Sequence, residues 1–144
     1  MLHIYKASAG SGKTYTLTLE YIKLLLGYRD EQGRYQLYRK SDAQHRRILA
    51  VTFTNKATEE MKHRIVFQLD ILAHDTEKSP YVDGLMQLFG CTVEQIRGIA
   101  SETLYVLLHD FSYFNISTID RFFQQVLRNF TREIGLQGRF EIEM

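Results

Sequence analysis

The chain has 144 residues, 44% of them hydrophobic and 24% charged, enough for one domain with a real core. A net charge of +1 gives no global basic field, so any nucleic-acid contact must come from local sites. One cysteine, Cys91, excludes a disulfide framework and reads as a small buried thiol in a reducing compartment, and the five histidines pair with no cysteine at zinc-ligand spacing.

The N-terminal stretch Leu2-His3-Ile4-Tyr5 is short, apolar and suited to a buried strand. Ala7-Ser8-Ala9-Gly10-Ser11-Gly12-Lys13-Thr14 follows, and a helix is predicted over about residues 13–26, with Leu17, Tyr21, Leu24 and Leu25 on one face and Gly27 as its stop. A loop of this composition between a strand and a helix reads as a phosphate cradle. Gly10 and Gly12 let the backbone curl so that successive N–H groups, from Ala9 through Thr14, point at an anion. The helix start adds its positive end, Lys13 reaches the β/γ-phosphates, and the Thr14 hydroxyl completes a Mg²⁺ shell. The first position of the usual pattern G-x-x-x-x-G-K-[ST] is Ala7 here.

Residues 28–47 are polar and charged and read as a solvated surface excursion, with a short hairpin around Gln32-Gly33. Residues 48–53 are predicted as a second buried strand. Thr54 and Asn55 are good cap types for a helix carrying Ala57, Met61, Ile65, Leu69 and Leu72 and ending near His74. A break at 75–80 holds the single proline. Helical segments are expected over about 81–89 and 93–111, with Thr92 and Gln95 as a capping box. Residues 114–117 suit a third strand. A helix from Ile119 carries Phe122, Phe123, Val126, Leu127 and Phe130, with the Phe122/Phe123 pair read as core. Residues 135–144 end in an alternating run. Strands alternating with helices predict an α/β fold whose parallel sheet is covered on both sides. The ligand site then falls at the carboxyl ends of the strands, so the loop at 7–14, the residues after Phe53 and those after Ser117 are expected to share one edge.

Three stretches together resemble the UvrD/Rep-type superfamily 1 helicases, most closely their AddA/RecB-like helicase–nuclease branch. They are ASAGSGKT at 7–14, ILAVTFTNKATEEMKHRI at 48–65 and ISTIDRFFQQVLR at 116–128. The resemblance implies a P-loop NTPase (RecA-like) parallel sheet flanked by helices, with a helical insertion over about 75–112. It makes residues 1–144 the N-terminal part of an ATP-binding motor domain. It implies ATP and Mg²⁺ as cofactors, held by Lys13 and Thr14, and single-stranded DNA as a partner. Thr52, Phe53, Thr54 and Asn55 would lie along that strand, Lys56 near its backbone, and Thr118 against it as well. Many relatives carry His where this chain has Asp120, so no phosphate contact passes to that residue. The other implied partners are the rest of the parent chain and a nuclease subunit. Read without the family, Phe53 fills the core and Asn55 caps a helix.

Hydrolysis needs acidic residues to fix Mg²⁺ and prepare water, usually as Asp-Glu after an apolar strand. The one Asp-Glu pair, Asp30-Glu31, follows Gly27-Tyr28-Arg29, and the apolar run from Tyr105 to Asp110 lies in a predicted helix and lacks the Glu. The fragment is therefore expected to be an incomplete motor with little activity of its own. Two other classes fit the loop: a small P-loop kinase or nucleotide switch, and a DNA-binding module with a vestigial loop. With neither a basic-then-apolar leader nor an apolar run near the ~20 residues of a membrane span, a soluble cytoplasmic protein with no membrane partner is expected.

Overall fold

A computed structural model describes residues 11–133. The expected first strand, the loop residues Ala7 to Gly10 (Ala9 among them) and the 135–144 run lie outside the described residues.

Helix α1, Ser11–Leu26, starts inside the loop motif and buries Leu17, Tyr21, Ile22, Leu25 and Leu26. It leads straight into β1, Gly27–Arg29, which pairs antiparallel with β2, Tyr35–Leu37. Asp30 closes this hairpin by accepting the Gln32 and Arg34 N–H groups at 3.0 and 2.8 Å, while Gly33 takes φ +80. Gly27 is required by close approach, because an added Cβ would overlap the Phe89 ring and the Gln36 carbonyl. The reading of 28–47 as solvated fails in its second half. A 3-10 turn, Gln44–Arg47, buries Gln44 and His45 to 2% exposure, because the chain must re-enter the core there to begin the next strand.

That strand is β3, Ala50–Thr52, shorter than the expected 48–53. It runs parallel to β4, Ile116–Thr118, with Ala50 opposite Ile116 and Thr52 opposite Thr118. The described residues thus contain one parallel pair and one antiparallel hairpin. Helix α2, Asn55–His74, buries Thr58, Met61, Ile65, Leu69, Leu72 and Ala73, spaced along one stripe. After a 3-10 turn, Thr76–Lys78, come α3, Val82–Phe89, and α4, Val93–His109. The capping box of α4 is complete: the Gln95 N–H donates to Thr92 Oγ1 at 3.2 Å and the Thr92 N–H to Gln95 Oε1 at 2.9 Å. Gly90 ends α3 at φ +58, and Cys91 beside it is half-buried rather than enclosed. Helix α4 packs mainly along α2, and their buried stripes join that of α1 in one hydrophobic cluster.

Helix α5, Ile119–Glu133, packs chiefly on β3 and β4. The core reading of Phe122/Phe123 is corrected: Phe122 is half-buried, and Phe123, Val126 and Phe130 are exposed. Among the described residues nothing lies across that face, and an amphipathic stripe is buried only where an element covers it.

Candidate functional site

Both parallel strands end in the same way. Thr54 follows β3 in extended conformation, and its hydroxyl accepts the Ala57 N–H at 3.0 Å, capping α2. Thr118 ends β4, and its hydroxyl accepts the Arg121 N–H at 3.3 Å in the first turn of α5. Because Thr52 and Thr118 are register partners, the two strand–threonine–helix junctions stand side by side, with the starts of α2 and α5 at one edge. Neighbouring helix N-termini with capped but accessible first turns favour anionic groups there.

The junction after β3 is fixed by threonine hydroxyls. Thr52, 5% exposed, has its Oγ1 2.6 Å from Thr58 Oγ1, and Thr58 also reaches the Thr54 carbonyl at 3.2 Å. Each hydroxyl has one proton. Either Thr58 donates to Thr52, which passes its own proton to the carbonyl of Thr54 at 3.2 Å or Ser117 at 3.4 Å, or Thr52 donates to Thr58, which donates to the Thr54 carbonyl. With Thr52 pinned inward, the next side chain is turned out: Phe53 is 56% exposed, so its reading as core filler is corrected. Thr54 takes the N-cap, Asn55 is the first residue of α2, and Thr54, Asn55 and Lys56 are all exposed. Thr118 is half-buried. Of the sequence-derived DNA residues, Phe53, Asn55 and Lys56 thus offer free surface, whereas the hydroxyls of Thr52, Thr54 and Thr118 hold the backbone that presents them.

For the phosphate loop, the structure gives the backbone of Ser11, Gly12, Lys13 and Thr14 as the opening turn of α1. Their side chains and Gly10 lie outside what is described. Just beyond, Tyr15 rests on Tyr81, with ring centroids 4.6 Å apart.

At the opposite ends of β3 and β4 sits a charged clamp that the sequence did not announce. Asp110, the cap residue after α4, accepts from Arg46 Nε and Nη2 at 2.6 and 2.7 Å and lies 2.7 Å from His45 Nε2. The Arg46 guanidinium hydrogen bonds hold the Asp110 carboxyl down at about 2, and His45 adds to this. Arg46 also lies 4.0 Å above the Tyr113 ring. Both Asp110 oxygens are thus engaged in joining the end of α4 to the turn before β3, on a helix rather than at a strand end. Partners 64 and 65 residues apart leave no local signal. Thr58 did leave one, in its four-residue spacing from Thr54 along the helix. Among the described residues no cluster of His, Cys, Asp or Glu is arranged to hold a metal, and no helix is long and apolar enough to cross a membrane.

The helices packed around a parallel strand pair, each strand handing over to a capped helix, define an α/β protein with both strand–helix junctions at one edge. The chain matches the UvrD/REP helicase N-terminal domain family over residues 3–144, and it belongs to that family. It is 35% identical over 130 residues to "RecBCD enzyme subunit RecB" of Buchnera aphidicola subsp. Acyrthosiphon pisum, covering 88% of this chain and 10% of that one. It is 31% identical over 140 residues to an ATP-dependent helicase/nuclease subunit of Lactobacillus acidophilus, covering 96% and 9%. It is also 37% identical over 76 residues to "Probable DNA helicase II homolog" of Mycoplasma capricolum subsp. capricolum, covering 53% and 8%. The chain therefore spans about a tenth of the length of these relatives. No solved structure matches it at comparable stringency.

Proposed function

We propose that this chain is the ATP-binding N-terminal portion of an ATP-dependent DNA helicase or translocase that acts on single-stranded DNA in recombination or repair. The observation that carries the reading is the junction after β3. An aromatic ring, an amide and a lysine (Phe53, Asn55, Lys56) stand exposed in succession beside Thr118, at the edge where parallel strands meet helix N-termini. A stacking face next to polar and cationic groups is what sequence-tolerant binding of a single strand requires.

The nucleotide half of the reading rests on residues 7–14. The start of α1 at Ser11 turns the free N–H groups of a sixteen-residue helix toward the loop, which fits a triphosphate. Ala9, Gly10, Ser11 and Gly12 would wrap the phosphates, Lys13 would neutralise them, and Thr14 would ligate Mg²⁺. Bound ATP would supply the phosphoanhydride whose cleavage drives movement, in the parent protein rather than in this portion alone. Relatives named as RecB of a RecBCD enzyme and as part of a helicase/nuclease support a parent that works with a nuclease partner.

Two titrations of the 144-residue chain test this, one with a fluorescent ATP analogue plus Mg²⁺ and one with a labelled oligothymidine. Nucleotide binding is expected to vanish in Lys13→Ala and DNA binding to fall in Phe53→Ala, each leaving the other ligand's affinity unchanged. DNA binding insensitive to Phe53, Asn55 and Thr118 substitutions would count against the assignment.

A further inference from the structure

Besides the packing of α4 on α1, a pair of tyrosines joins the segment before α3 to the loop-bearing helix. Tyr81, 4% exposed, immediately precedes α3 in the insertion. Its hydroxyl donates to the Tyr15 carbonyl at 3.1 Å. In return, the Tyr15 hydroxyl donates to the Pro80 carbonyl at 3.3 Å. The rings between these two bonds sit 4.6 Å apart at 45°. Each side of the contact thus places its phenol on the backbone of the other, and the α1 backbone so gripped lies two residues past Lys13.

The grip has its own support. The Tyr81 N–H donates to Ser79 Oγ at 3.2 Å, and Ser79 Oγ reaches Gln68 Oε1 on α2 at 3.5 Å. Tyr81 is therefore fixed by the helix that begins beside Phe53, not by the surface loop alone. Burial, with Tyr15 adding to it, pushes the Tyr81 phenol up, so it stays a donor throughout the neutral range.

We propose that Tyr81 is a positioning residue for the nucleotide site. Through its bonds to the Tyr15 carbonyl and the Thr18 side chain it fixes the opening turns of α1, and with them the backbone N–H groups that would receive the phosphates. The inference rests on the proposed nucleotide reading of residues 7–14 and deepens it. It gives the insertion a task at that site although it contributes no ligand. A cradle of fixed N–H groups binds an anion best when no ordering remains to be done on binding. Loosening its helix therefore weakens the nucleotide without touching it.

The test is Tyr81→Phe, which keeps the ring and removes the hydroxyl, compared with Tyr81→Leu, Lys13→Ala and the unaltered 144-residue chain. Hydrogen exchange of the α1 amides over residues 15–19 is expected to speed up in Tyr81→Phe while that of α4 stays as it was. Affinity for the Mg²⁺-bound ATP analogue should drop about three- to tenfold as the hydroxyl's bonds to α1 are lost, and oligothymidine affinity should not change. Unchanged α1 exchange together with unchanged nucleotide affinity in Tyr81→Phe overturns the positioning role. So does a loss shared by both ligands in proportion to unfolded protein, in either Tyr81 variant. Failure of the underlying reading looks different: Lys13→Ala would then bind the analogue as well as the unaltered chain, whatever α1 exchange reports.

Discussion

Replacing Phe53 with alanine separates a DNA-facing ring from a core ring by magnitude. Full burial of a phenylalanine side chain contributes roughly 1.5–3 kcal/mol. At 56% exposure less than half of that is in place, so truncation should cost folding stability about 1 kcal/mol or less. If a base stacks on the ring, the same change removes roughly 1–3 kcal/mol of binding, or about 5- to 150-fold in affinity. The two effects are read in separate assays, so each is measured on its own. Fluorescence anisotropy of a labelled oligothymidine, at one fixed salt concentration because phosphate contacts respond to salt, gives the second. Urea unfolding gives the first. Phe53→Tyr, which keeps the ring, should retain the affinity. Binding by Phe53→Ala within twofold of the unaltered chain would refute the stacking argument, and a stability loss above about 2 kcal/mol would show that the ring does structural work instead.

Other substitutions probe the scaffold and the charges. Lys56→Ala should reduce the slope of log affinity against log salt by about 0.7, one phosphate's share on a single strand, as read from titrations at several salt concentrations. Tyr21 buries a hydroxyl that has no partner among the described residues, and Tyr21→Phe should raise unfolding stability by about 1 kcal/mol in urea denaturation. Gly27→Ala forces a methyl onto the Phe89 ring and the Gln36 carbonyl and should cost about 1–3 kcal/mol or more, visible as a fall in Tm. Asp110 titrates near 2 when folded and near the usual carboxylate value when unfolded. Its contribution to stability is therefore present above about pH 4 and is lost as pH falls toward 2. Asp110→Asn should flatten the stability profile across that window and speed exchange of the 44–47 amides.

Much of the scaffold at the strand ends was legible because it is written in local chemistry. The Thr54 cap, the Thr92/Gln95 box and the buried stripe from Met61 to Leu72 depend on residues a turn or less apart, and their spacing reports them directly. The clamp of His45, Arg46 and Asp110 was not legible, since its members meet only after α2 and α4 have packed. Residues 44–47 consequently looked solvated, although Gln44 and His45 are among the most enclosed polar side chains of the described chain. The core reading of the Phe122/Phe123 pair, and that of Phe53 when read without the family, share one assumption, that an aromatic beside apolar neighbours is inside. A strand end and an uncovered helix face both break it.

The exposure of Phe53 has a cause that can itself be perturbed. Phe53 is the first residue past β3, and its backbone follows directly from Thr52, whose buried hydroxyl is satisfied by Thr58 and the neighbouring carbonyls. Thr52→Val keeps the shape and removes the hydroxyl. Thr58 can then still donate to the Thr54 carbonyl at 3.2 Å, so no buried donor is stranded and the cost should stay near ~1 kcal/mol. The tie between the strand end and α2 nonetheless becomes one bond instead of several. Phe53 should then present its ring less uniformly, and oligothymidine affinity should fall by a few-fold although Thr52 is buried and out of reach of the strand. Thr58→Val should reproduce the effect, because it removes the same bond from the other side, and the double variant should be no worse than either single one if the hydroxyls act as one unit. Additive losses in the double variant would mean that the two threonines act separately, and that the register of the β-strand alone is enough to turn the ring outward.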